Sequence, residues 1–195
     1  MSPDPDVVLR QLRAAMGEDP PVPLWAVLDG ARDESIHPFV RDNFDESACL
    51  YSGAPAQTLQ SVAPYLVRLR RDDPLVRELV ARAWGNSWGV FFVSDASQDH
   101  LRRHLRYFLR VRDEQGRHLL FRFYDPRVLR VYLPTCTSRE LWLFFGAISA
   151  ILVEGEDPGT LLQFRYADRR LYTESIDMVS GSASGEERDS AALVS

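Results

Sequence analysis

FRFYDPRVLRVYLPTCTSRELWLFFG, Phe121–Gly146, sets Arg, Tyr, Asp, Thr and Glu among apolar residues, and the fold follows from what each of these does. Two helix starts are legible in it. Asp125 can cap the first free N–H groups of a helix, and Pro126 at the next position wastes no donor and already holds a helical φ. Val128, Leu129 and Tyr132 follow, and Pro134 limits this helix. Thr137 and Glu140 then fit a capping box, in which each side chain satisfies a backbone N–H near the other. Leu141, Phe144 and Phe145 recur at helical spacing. That second helix is apolar nearly all round, so a central position is expected. Ahead of both, FRFYD reads as a strand returning from a hairpin. Its pleat sets Arg122 and Tyr124 on one face and Phe121 and Phe123 on the other. Capping accounts for Asp125, Thr137 and Glu140, and Asp125, Pro126, Thr137 and Glu140 form the structural motif. Arg122, Tyr124 and Arg127 have no local explanation, and Arg130 joins them. Arg and Tyr dominate protein interfaces, so these four are the candidate partner-binding residues.

The same grammar extends outward. Asp4-Pro5 opens a helix bearing Val8, Leu12 and Ala15, which Gly17 ends. Asp73-Pro74 opens a stronger one with an apolar stripe from Leu75 to Trp84, stopped by Gly85. Ser97 can cap a helix carrying Leu101, His104, Leu105 and Phe108. PLWAVLDG (Pro23–Gly30), ACLYS, YLVRL and WGVFFVSD (Trp88–Asp95) are strand candidates. RDEQGR turns one hairpin, where Gly116 can supply a positive φ. LLQFRYADRRLYTESI forms another around Asp168-Arg169. Helices and strands interleave early and hairpins crowd the end. The expected class is α/β, with α+β as its variant: a mixed sheet flanked by helices, closed by C-terminal hairpins. A single domain spans 1–178. From Val179 the sequence is small, polar and aperiodic, and a disordered tail is expected over 179–195.

Composition narrows the function classes. The 195 residues are 45% hydrophobic, enough for a sizeable core, and the net charge of -5 argues against a nucleic-acid partner. All 23 basic residues are arginine, which removes Schiff-base and P-loop lysines. Cys49 and Cys136 lie far apart and read as reduced thiols. The acidic N-terminus lacks the apolar core of a secretory signal. The longest uncharged apolar run, Leu141–Val153, is too short to span a bilayer. A cytoplasmic chain with no membrane partner is expected.

Catalytic patterns weigh little. GNSWG (Gly85–Gly89) matches G-x-S-x-G and makes Ser87 a candidate nucleophile for a serine hydrolase. A nucleophile elbow runs strand to helix, whereas here a helix precedes the turn and a strand follows. Asp95, Asp99 and Asp113 are the acids downstream, and His100, His104 and His118 the bases. His100 and His104 share a helix face as zinc ligands can, but three arginines surround them and no third ligand is evident. No metal and no cofactor are expected, and an enzyme is not the favoured reading.

The succession LWAVLDGA, CLYSG, APYLVRL, WGVFFVSD, HLRYFLRV, LLFRFYDPRVLRVYL and LWLFFGAI, from about Leu24 to Ile148, resembles the adaptor/chaperone family of bacterial type VI secretion. FRFYDPRVL is its strongest element, and the family's recurring motif falls on Arg122, Phe123, Tyr124, Asp125, Pro126 and Arg127. One departure is Ala147, where family members often have Pro after the glycine matching Gly146. The resemblance implies a non-enzymatic protein that binds a type VI secretion effector in the cytoplasm and helps load it onto a spike protein of the valine-glycine-repeat type. An immunity protein or another protein-binding module is the remaining alternative.

Overall fold

The computed structural model describes residues 3–112, 115–178 and 183–188. Helix α1 (Pro5–Ala15) precedes β1 (Leu24–Asp29), α2 (Ile36–Asn43), β2 (Ser47–Cys49) and α3 (Ala54–Thr58). Then come β3 (Pro64–Leu69), α4 (Pro74–Ala83), β4 (Gly89–Val93) and α5 (Gln98–Phe108). The short hairpin β5 (Arg110–Arg112) and β6 (His118–Leu120) leads to α6 (Pro126–Tyr132) and α7 (Ser138–Phe145). Four strands close the chain: β7 (Ala150–Glu154), β8 (Thr160–Ala167), β9 (Arg170–Asp177) and β10 (Ala183–Arg188).

Eight strands form one sheet in the order β10-β9-β8-β7-β4-β1-β3-β2, and β5 and β6 pair separately. The α/β class, the flanking helices and the C-terminal hairpin are as the sequence indicated. The pairing is antiparallel at every described junction rather than mixed. The interleaved helices suggested a mixed sheet, yet here they cover the faces of an antiparallel one.

Helices cover both faces of this sheet, which is unusual for antiparallel pairing and explains its strand sequences. Every residue of β1 and of β7 is buried. Along β1, Leu24, Ala26 and Leu28 join the core built with α1, α2 and α4, through residues such as Leu12, Ile36 and Leu79. Trp25 and Val27 join the opposite core, built with α5, α6 and α7 through Leu105, Leu129 and Phe144. The period-2 pleat thus feeds two cores. Each fully buried Leu or Phe contributes roughly 1.5–3 kcal/mol of transfer free energy.

The caps are those the sequence spelled. Asp4, Asp73, Asp125 and Ser97 each accept a backbone N–H at their helix starts, and Thr137 with Glu140 forms both halves of the capping box. Asp168 and Arg169 both take positive φ, 49° and 64°, as a two-residue hairpin turn needs.

Three expectations need correction. FRFYD is not a strand: β6 ends at Leu120, and the chain turns, with Asp125 N–H donating to Arg122 C=O at 3.0 Å. Phe123 and Tyr124 are therefore buried together instead of alternating. Helix α7 is not central: Leu141, Phe144 and Phe145 are buried, but Trp142 is 64% exposed. Finally, within the tail expected to be disordered, 183–188 forms β10 against β9. Residues 179–182 and 189–195 lie outside the described residues.

Candidate functional site

The polar residues of the opening stretch gather at one end of the sheet. Antiparallel pairing brings the end of β1, the start of β4 and the end of β7 to the same edge. Each delivers an anchor. Asp29 is the last residue of β1, Ser87 precedes β4, and Glu154 ends β7. All three are buried. The turn at Arg122–Asp125 and helix α6 then lay their arginines over this edge.

Arg122 pairs with Asp29 through Nη2 and Oδ2, while the other Asp29 oxygen accepts from Ala31 N–H at 3.1 Å. Asp125 accepts from Arg127 backbone N–H at 3.0 Å and from its Nε and Nη2 at 2.9 and 2.6 Å. Burial pushes the Asp125 carboxyl upward. The hydrogen bonds and charge of Arg127, with the charge of Arg122, outweigh it and hold the group below its ordinary value. The hydrogen bond and charge of Asp125 raise the Arg127 guanidinium, with added pull from Asp29 and Glu154. Arg130 donates to Gly155 C=O at 3.0 Å. Glu154 closes the network, accepting from Gly85 N–H (2.6 Å), Ser87 N–H (3.0 Å) and Ser87 Oγ–H (2.8 Å).

Arg122, Arg127 and Arg130 thus converge on this edge, with Arg127 the most exposed of the three. Tyr124, expected beside Arg122 on an open face, is inside the second core at 1% exposure. Burial drives its hydroxyl well above the usual range, and the neighbouring Tyr51 adds to the effect. Pro126, the first residue of α6, is buried. Asp29, Tyr51 and Glu154 were not singled out in the sequence. The signal was there for two of them: a carboxylate ending an all-apolar strand, in LWAVLD and AILVE, has to find partners.

The other catalytic candidates disperse. Ser87 sits in a helix-to-strand turn with φ 56°, and its hydroxyl donates to Glu154, not to a histidine. His104 lies 2.8 Å from Phe144 C=O through Nε2, half-buried and edge-on to Phe108, and burial lowers its pKa. Among the described residues no three His, Cys, Asp or Glu side chains form a metal-binding group. Asp113 lies outside the described residues. No described helix is long and apolar enough to cross a membrane.

The fold and this edge define a three-layer α/β domain whose polar cluster is closed by internal ion pairs and capping. Residues 24–142 match the family model described as Domain of unknown function (DUF4123), more than half of the chain, and the protein belongs to that family. No curated protein and no solved structure matches the chain.

Proposed function

We propose that this protein is a non-catalytic cytoplasmic adaptor of type VI secretion, which binds an effector and helps load it onto its valine-glycine-repeat spike protein. Membership of the DUF4123 family over residues 24–142 carries the reading. The geometry supports it: the carboxylates and arginines gathered at this edge, and the candidate nucleophile Ser87, are occupied with one another. Asp125 caps α6 and pairs with Arg127, Asp29 holds Arg122, and Glu154 fills its oxygens with the Gly85–Ser87 turn. None of these carboxylates hydrogen-bonds a histidine among the described residues, and the one that meets Ser87, Glu154, also holds the backbone N–H groups of Gly85 and Ser87. The network instead fixes the turn and α6 rigidly on the sheet, as a presenting surface requires.

Affinity-tagged protein tests the reading. The effector and the spike protein encoded beside its gene are expected to co-purify with it, and deletion of the gene is expected to abolish secretion of that effector alone. Secretion that survives deletion, with neither neighbour retained, overturns it.

A further inference from the structure

Helix α5 and the β5 strand after it border a groove of about 660 Å³, whose other bank is the stretch from Leu50 to Leu59. Resting on the adaptor reading, we propose that this groove docks a short segment of the partner protein, apolar on one side and bearing carboxylates beside it. The floor is apolar, with Leu50 and Leu109 buried. Leu59, Tyr107 and Leu120 line it while remaining 45%, 73% and 50% exposed. Large side chains clustered around one concavity and left open to water mark an interaction surface.

Charge selects the occupant. Arg103, Arg106 and Arg110 line the groove, and no Asp or Glu does. At i, i+3 and i+7 they follow one bank. The Arg103 guanidinium reaches only the backbone of Asp99, and among the described residues none of the three has a carboxylate partner. Seven other arginines, Arg41, Arg68, Arg70, Arg77, Arg82, Arg122 and Arg127, each pair with Asp or Glu. In a protein of net charge -5, three guanidiniums with no carboxylate partner among the described residues, set around an apolar trough, complement an acidic amphipathic segment. The groove is also tied to the family motif, because Tyr51 lines it and packs against the core that holds Tyr124.

The test uses the full chain and a fluorescein-labelled amphipathic peptide, with leucines on one face flanked by glutamates, beside its Glu→Gln counterpart. The glutamate peptide is expected to bind at concentrations below about 100 μM, and the glutamine peptide about ten-fold more weakly. Arg106→Glu/Arg110→Glu is expected to lose the same factor, and Tyr107→Ala, at an exposed position, provides a second variant should the first misfold. Equal binding of both peptides, or no binding, overturns the proposal. So does tighter binding of a duplex DNA or of anionic phospholipid vesicles through the same arginines. The neighbouring effector and spike protein are pulled down in parallel. Capture by the wild type and loss with the double variant supports the groove. Capture by both overturns the groove and leaves the adaptor reading intact. Capture by neither overturns the adaptor reading, and the peptide pair then decides the groove alone.

Discussion

Asp29 and Arg122 lie 93 residues apart in the chain and form an ion pair in which the carboxylate is fully buried. The pair ties the end of the central strand β1 to the turn that starts α6. Removing the guanidinium leaves a buried charge whose remaining partner is the Ala31 N–H. Arg122→Ala is expected to cost about 2 kcal/mol, less than a fully buried pair because the arginine is itself 39% exposed. The double variant Asp29→Asn/Arg122→Ala is expected to lose less than the sum of the two single changes, since no orphaned charge remains. Urea unfolding of the three variants measures both. Strict additivity would show that the pair is not coupled.

Much of this fold was legible locally. Caps are short-range chemistry, and the Asp4-Pro5, Asp73-Pro74 and Asp125-Pro126 starts, the Ser97 cap and the Thr137–Glu140 box stand where the residues put them. What the sequence hid is long-range. Strand β7 starts within the run Leu141–Val153 and ends one residue beyond it; apolar residues follow one another there without a period, because a strand buried on both faces does not alternate. Tyr124 was placed on a pleat that the chain had already left. Asp29 and Glu154 became site residues only once the sheet set their strand ends side by side.

Asp125 has two roles, and they separate. As the α6 cap it is worth about 1 kcal/mol, and its bond to the exposed Arg127 adds less than about 1. Asp125→Ala is expected to lose both and Arg127→Ala only the second, by chemical denaturation at neutral pH. The carboxyl's folded pKa is depressed. The folded state therefore binds this proton less readily than the unfolded chain. Its contribution is present above the unfolded value of about 3.9 and lost as pH falls through the lower folded value. The stability gap between wild type and Asp125→Asn is expected to shrink in acid.

Ser87 discriminates an adaptor from a hydrolase. Its hydroxyl gives one hydrogen bond to a buried carboxylate that also receives two backbone N–H groups. Ser87→Ala is expected to cost about 1 kcal/mol and to leave effector secretion unchanged. A fluorophosphonate probe is expected not to label the wild type. Labelling that disappears in Ser87→Ala would establish a nucleophile and defeat the non-catalytic reading.

Gly146 ends α7 where no other residue fits. Its φ is 51°, and a Cβ there would stand 2.6 Å from the His104 ring. Gly146→Ala combines backbone strain with that collision and is expected to cost more than about 1 kcal/mol. His104→Ala in the same chain is expected to relieve the collision but not the strain, so the double variant recovers only part of the loss. The histidine carries its own pH signature. Burial lowers its folded pKa, with the His100 charge acting in the same direction. Above the unfolded value of about 6.5 both states are neutral and stability is full. As pH falls below that value the unfolded chain takes up the proton first, and stability declines until the folded pKa is passed. The decline is expected to be absent in His104→Gln when unfolding midpoints are compared between neutral and mildly acidic pH. A decline of the same size in that variant would assign the pH dependence to other groups.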